Sequence, residues 1–296
     1  MKKNIPESIV VPGHPDHELL SALAQDITAR AGGPDGLAEQ FSAMLRQCVD
    51  DVIMTPKTGR RSYDELEKTE KTYIGTRVEI ELRAMLDLPK GKLDTEILGR
   101  DVDIKNTMGN NWMIPTEALD HPCILVAADE ARARCYLGLI VSKTDYLTLG
   151  QNKDAKKSVS AAGFENIFWL LRDHPYPPNF WRTVEPDVVS RIFAGKTGNQ
   201  RMAALFREVQ GIPITRDVVE AVAQQQDFMR RIRSDNGRGT RDILAREGVL
   251  LLSGHYDAPL IEALGLPSCS GSEFVSYRPV TAVELETSRE HGHIVD

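Results

Sequence analysis

Leu93-Asp94, followed by Val102-Asp103-Ile104-Lys105, is the stretch that decides how this chain reads, with Glu79 and Glu81 just upstream. Asp103 and Lys105 are two residues apart, so on a β-strand they share one face while Val102 and Ile104 point to the other. An acid and a lysine on one face of an otherwise apolar strand are costly to desolvate unless something binds there. A divalent cation with a phosphate satisfies both charges, which is the arrangement of a metal-dependent nuclease. Phosphodiester hydrolysis needs a nucleophilic water, neutralisation of the phosphate charge and support for the leaving oxygen. Magnesium supplies much of this, because it binds carboxylate oxygens and keeps several waters. Asp94 and Asp103 are the expected metal ligands, helped by the Ile104 carbonyl, and Lys105 is placed to orient the attacking water. The bland reading is a solvated strand face with an i, i+2 ion pair, since D-x-K alone is a common tripeptide.

The residues around this stretch sort by the same reasoning. Val78, Leu82, Met85 and Leu86 define the buried stripe of a helix, and Glu79 and Glu81 lie on its two borders. Spacing does not choose between them. Asp101 shares the face of Asp103, but its place beside Gly99-Arg100 fits a turn residue better. His14, His17 and His121 have no carboxylate or cysteine at ligand spacing and read as structural or surface residues. Trp112 and Trp181 read as packing residues rather than base-stacking platforms.

Outward from the centre, residues 17–30 and 37–53 read as amphipathic helices, the second with Leu37, Phe41, Met44, Leu45, Cys48, Val49 and Val52 on one stripe. Lys92–Leu98 and Val102–Lys105 read as strands joined around Gly99-Arg100. Cys123–Ala127 and Tyr136–Ser142 are denser apolar runs, fit for central strands. Helices before and after such strands indicate an α/β fold. The prolines of Asp173-His174-Pro175-Tyr176-Pro177-Pro178-Asn179 mark a linker. Beyond it, Met202–Val209 is helical and Gly211-Ile212-Pro213 breaks it. Thr215 is placed to cap a helix over Arg216–Ala223. Gln225–Arg233 makes a third, basic helix, and Gly248–Ser253 a strand. That order is the order of a winged helix-turn-helix. Phe228, Met229 and Ile232 form the apolar side of the basic helix and leave Gln226, Arg230 and Arg233 outward, side chains suited to reading adenine and guanine edges.

With 296 residues, the chain is long enough for two domains, and its hydrophobic and charged fractions are those of a globular protein. No apolar run reaches membrane-spanning length, and the start of the chain lacks the apolar core of a signal peptide, so no membrane partner and a cytoplasmic location are expected. The cysteines Cys48, Cys123, Cys135 and Cys269 are scattered without a C-x-x-C pair, as reduced thiols would be. A net charge of −7 counts against a nonspecific nucleic-acid binder. Yet Phe228–Arg246 carries Arg230, Arg231, Arg233, Arg238, Arg241 and Arg246 against Asp235 and Asp242, a local positive excess that the global figure hides.

Taken together, Glu70-Lys71-Thr72-Tyr73-Ile74-Gly75-Thr76-Arg77-Val78-Glu79-Ile80, the set Asp94, Asp103-Ile104-Lys105, and Trp112-Met113-Ile114-Pro115 resemble NaeI-type restriction endonucleases. Gly198-Asn199-Gln200, the run Val222–Arg233, Glu247-Gly248-Val249 and Leu264-Gly265-Leu266-Pro267 are similar to the C-terminal domain of that family. The resemblance spans roughly residues 37–267. It implies a restriction-endonuclease-like mixed-sheet core of PD-(D/E)xK type with flanking helices over 1–172, and a C-terminal winged helix-turn-helix DNA-binding domain over 180–296. It implies Glu79, rather than Glu81, as the helix acid, Asp94 and Asp103 as magnesium ligands, and Lys105 as the catalytic lysine. Gln226, Arg230, Arg231, Arg233, Arg238 and Arg241 are the expected DNA-binding residues. The implied enzyme is a homodimer that cuts double-stranded DNA at specific sites, leaves 5′-phosphate ends, and engages a second DNA site. Two other readings stay open from the residues alone: a repair-type nicking endonuclease with the same core, and a DNA-binding regulator whose acidic cluster is inert.

Overall fold

The computed structural model describes residues 5–225, 227–233 and 237–293. The chain opens with α1 (His17–Arg30), α2 (Pro34–Ile53), the short α3 (Thr55–Thr58) and α4 (Lys68–Met85). Strands β1 (Thr95–Ile97), β2 (Arg100–Thr107), β3 (Met113–Ile114), β4 (Pro122–Asp129), β5 (Arg134–Val141), β6 (Leu147–Gln151) and β7 (Lys157–Val159) follow, then α5 (Ala161–Glu165) and β8 (Phe168–Pro175). The remainder comprises α6 (Phe180–Thr183), α7 (Pro186–Phe193), α8 (Gly198–Glu208), β9 (Ile214–Thr215), α9 (Arg216–Ala223), α10 (Phe228–Ile232) and α11 (Thr240–Ala245). It ends with β10 (Leu250–Ser253), α12 (Ala258–Ala263), β11 (Glu273–Tyr277) and α13 (Ala282–Glu290).

The chain divides into two compact units. The first holds the residues up to Ile53 and Ser62–Asn179; the second holds Met54–Arg61 and everything from Phe180 onward. The backbone therefore enters the second unit to make α3, returns for α4, and leaves again after Asn179. The proline-rich stretch expected as a linker begins as sheet: His174 and Pro175 pair with Cys135 and Arg134 of β5, and Tyr176 is buried. Proline is tolerated there because β8 is an edge strand with no further ladder to serve on its outer side.

In the first unit a mixed sheet runs in the order β1-β2-β4-β5-β8, and only β2 and β4 are parallel. β4 is buried on both faces, as expected of a dense apolar run. Its Ile124, Val126 and Ala128 pack with the helices, joined by Phe41 and Leu45 of α2 and by Ile74, Val78 and Leu82 of α4. Its Cys123, Leu125 and Ala127 face the opposite core with Trp112, Tyr136 and Phe164. Trp112 donates from Nε1 to the Val126 carbonyl at 2.7 Å, a packing role. All four cysteines are free thiols. Among the described residues no helix is long and apolar enough to cross a membrane.

In the second unit an antiparallel sheet of order β10-β11-β9 is flanked by helices whose apolar faces share one core of Met202, Phe206, Val219, Val222, Phe228 and Leu244. Helix α9 starts at Arg216 as expected, but the Thr215 side chain makes no capping bond. The third helix differs from the expected Gln225–Arg233. Gln224 takes a left-handed backbone that closes α9, α10 is confined to Phe228–Ile232, and a further helix, α11, intervenes before β10. Asp242 caps α11 by accepting from the amides of Gly237 and Gly239 at 3.0 and 3.2 Å.

Candidate active site

Two elements and one loop bring the candidate residues together. β2 carries Asp103 and Lys105 on the face opposite Val102 and Ile104, which sink into the helix-side core. The loop between α4 and β1 carries Asp94, and it is tightly built. The Thr95 hydroxyl donates to the Pro89 carbonyl at 2.7 Å, and the Leu93 amide donates to Asp101 Oδ1 at 3.0 Å. Asp101, expected as a turn residue, instead lies within β2 opposite Glu96, and its side chain orders the loop from the strand. A side chain at Gly91 would collide with the Thr95 carbonyl and the Asp101 carboxylate, so this loop has room only for glycine.

The loop aims Asp94 at β2. Its Oδ2 accepts from the Ile104 amide at 2.7 Å, and Lys105 Nζ stands 3.4 Å from the same oxygen. Nζ also donates to Asp103 Oδ1 at 2.7 Å and to the Ile104 carbonyl at 3.1 Å. Three oxygens, from Asp94, Asp103 and Ile104, therefore converge on one positive charge. They are the three oxygens expected to hold a metal ion.

Asp103 is only 3% exposed. Burial pushes its carboxyl up to about 6, against the opposing pull of Lys105. For Lys105, burial disfavours the charge most, but Asp103 and Asp94 outweigh it and hold the ammonium above its ordinary range. Behind Asp103 lies a group that the sequence marks only as a reduced thiol. Cys123, directly opposite Asp103 in the parallel β2–β4 ladder, has its Sγ 3.6 Å from Asp103 Oδ2 and 2.8 Å from the Ser142 hydroxyl. Burial first, and Asp103 second, raise this thiol far above its ordinary value, so it stays neutral and available as a donor. One Asp103 oxygen thus faces the inner core and the other faces the site.

The two glutamates of α4 separate cleanly. Glu81 pairs with Arg77 at 3.0 Å, and Arg77 in turn with Asp51 of α2 at 2.5 Å. Glu79 is on the other border, where burial and then Asp94 push its carboxyl upward while Arg83, Lys105 and Lys90 pull it down. Glu79 therefore senses Asp94 and Lys105, and Glu81 is held in an ion-pair network with α2. Among the described residues no three His, Cys, Asp or Glu side chains converge as a metal cluster. The acceptors here are two carboxylates and a carbonyl, all hard oxygens, a set that suits a magnesium ion keeping several of its waters.

The basic candidates lie in the second unit. Arg230 and Arg231 are on α10, Arg233 follows it, Arg238 precedes α11, and these four are exposed. Arg231 lies 3.6 Å from Asp227. Arg241, on α11, is more enclosed and 3.4 Å from Asp257, whose other oxygen is 3.1 Å from His293. Burial opposes the Asp257 charge, but His293, the Ser253 amide and Arg241 hold its carboxyl below the ordinary range. The Arg238 carbonyl accepts from Asn199 at 2.9 Å, which ties the basic loop to the start of α8. Gln226 lies outside the described residues.

Residues 24–289 match the family described as restriction endonuclease NaeI. The chain is 36% identical to the type II restriction enzyme NaeI of Lentzea aerocolonigenes, over 85% of its own length and 81% of that protein. The match runs through the Asp94, Asp103 and Lys105 centre and through the arginine-bearing second unit alike. The chain belongs to the NaeI restriction endonuclease family, the site-specific DNA endonucleases of restriction–modification.

Proposed function

We propose that this chain hydrolyses double-stranded DNA with magnesium as a type II site-specific deoxyribonuclease, leaving 5′-phosphate and 3′-hydroxyl ends. The observation that carries the reading is the convergence of Asp94 Oδ2, Asp103 Oδ1 and the Ile104 carbonyl on a single cation, Lys105 Nζ. Asp94, Asp103 and the Ile104 carbonyl would hold the magnesium. Magnesium bound there supplies charge neutralisation for the phosphate and lowers the pKa of a water. Lys105 holds a positive charge at fixed reach, so that it orients the attacking water and offsets charge building on the phosphoryl oxygens. Glu79 adds a carboxylate from the helix side, where it orders water beside the phosphate. Cys123, held in place by the Ser142 hydroxyl, keeps the inner Asp103 oxygen occupied, so the carboxylate turns its other oxygen toward the site.

The second unit acts as a winged helix-turn-helix that binds DNA. The helix–strand–helix order α8, β9, α9 and the antiparallel sheet β10-β11-β9 support this reading. In that topology the helix leading into the first wing strand is α11, so the recognition segment comprises α11 together with the arginines of α10 and the loop after it. The enzyme works as a cytoplasmic homodimer on palindromic DNA, with the first unit catalytic and the second binding a second DNA site.

A supercoiled plasmid incubated with the protein in magnesium tests the proposal. Linear fragments with reproducible 5′-phosphorylated ends support it. Accumulation of open circles alone would indicate a nickase, and intact plasmid with retained binding would indicate an inert DNA-binding protein.

A further inference from the structure

Arg83 lies four residues past Glu79 on α4, so the two side chains leave the same face of the helix one turn apart. It is half-buried, and its Nε is closed off from solvent with no hydrogen-bond partner. Arg60, Arg61, Arg77 and Arg241 share that feature, but each has another partner, Arg77 with Asp51 and Glu81 through Nη2, Arg241 with Asp257, and Arg61 over the Phe193 ring. Arg83 does not. Among the described residues its side chain makes no ion pair or hydrogen bond, although its charge is felt by Glu79. Withdrawing the Nε–H donor from water without an acceptor is destabilising. Such a group is understandable where an anion arrives with the substrate. Lys90 also acts on Glu79, but it is exposed, so nothing about its setting calls for a partner.

We propose that Arg83 is a phosphate-binding residue of the active site, donating from its guanidinium to a nonbridging oxygen of the strand being cut. The planar fork of arginine matches a phosphate with two parallel hydrogen bonds, which a lysine at the same position would not reproduce. The inference rests on the reading of Glu79, Asp94, Asp103 and Lys105 as the catalytic centre.

The test uses the full chain and a duplex of about 30 base pairs spanning a cleavage position mapped with the wild-type protein. Binding is followed by fluorescence anisotropy in calcium across a salt series, and steady-state cleavage is followed in magnesium. For Arg83→Gln the expected result is at least about tenfold weaker binding, the loss of a charge-assisted hydrogen-bonded contact to phosphate. The slope of log affinity against log salt falls by about 0.9, one phosphate contact fewer. KM rises with kcat largely kept, because the contact is made before as well as during the reaction. Arg83→Lys restores the salt slope but only part of the affinity. The melting temperature of Arg83→Gln is not lowered, since no native hydrogen bond is lost; a structural arginine would lower it. Unchanged affinity and salt slope in Arg83→Gln, with a wild type that cuts, would overturn this proposal alone. A wild type that binds the duplex and never cuts any DNA would overturn the reading of the centre and this proposal with it.

Discussion

Replacing Asp103 by asparagine should abolish cleavage and, at the same time, stabilise the metal-free protein. Asp103 is 3% exposed, and burial raises its carboxyl from 3.8 to about 6 in spite of Lys105 at 2.7 Å. Because the folded-state value is raised, the contribution of Asp103 to stability is fully present below pH 3.8 and is lost as the pH climbs through about 6. A shift of roughly two units, at 1.36 kcal/mol each, amounts to about 3 kcal/mol. Asparagine mimics the protonated form at every pH. Asp103→Asn should therefore be more stable than wild type by about 3 kcal/mol at pH 8, and the difference should close below pH 4. Urea unfolding in EDTA at the two pH values measures it. A Trp181→Phe background leaves Trp112 and Trp169, both in the first unit, as the fluorescence reporters. Calcium should stabilise the wild type and much less the variant, because binding to the folded state alone raises its stability. A variant with no gain at pH 8, or with the same gain at pH 4, would refute the claim that a buried, ionised Asp103 is retained at the expense of stability.

Lys105→Met should lose cleavage by orders of magnitude and raise the Asp103 pKa further, readable as a shift of the pH profile of unfolding; Lys105→Arg should also be poor, because a planar guanidinium does not fit where a compact ammonium meets three oxygens. Glu79→Gln should cut cleavage at least a hundredfold, a loss typical of removing a positioned catalytic group. Glu81→Gln, which removes one partner of a partly exposed Arg77 pair, should cost no more than about 1 kcal/mol of stability and leave kcat in place. Arg230→Ala and Arg233→Ala should each weaken DNA binding, by about 1–3 kcal/mol for the preferred sequence if they read base edges, or evenly across sequences with a lower salt slope if they hold phosphates. A fragment from Phe180 to the end lacks α3, which packs on α9, and Arg61, which covers the Phe193 ring at 4.2 Å. Its melting temperature should rise when a peptide of residues 54–61 is added, and a melt indifferent to the peptide would count against α3 as part of that unit.

Much of this was legible in the sequence, and the reasons are local. The alternation at Val102–Lys105 assigned faces correctly because strand period is a property of the backbone. The Val78, Leu82 stripe likewise located the buried side of α4. Glu79 and Glu81 could not be separated by period, since they flank that stripe equally. What distinguishes them is tertiary: Arg77 and Asp51 occupy one border, Asp94 and Lys105 the other. Cys123 behind Asp103 depends on the parallel pairing of β2 with β4, and no residue pattern announces that register. Helix α11 is six residues long within an arginine- and glycine-rich stretch, too short for periodicity to mark it. The loan of Met54–Arg61 to the second unit was hidden for a different reason. A four-residue helix in a polar, turn-rich segment looks like any surface loop until its partner α9 is in place.

The central claim is that Asp94, Asp103 and Lys105 form a magnesium-dependent centre that cuts duplex DNA at defined sites. It is tested most directly by sequencing the ends that wild type and Asp103→Asn produce from one supercoiled plasmid in magnesium. Wild type should give 5′-phosphorylated ends at a small set of recurring positions, none in EDTA, and the variant none above background. Equal cutting by Asp103→Asn, or wild-type ends scattered without a recurring sequence, would contradict it.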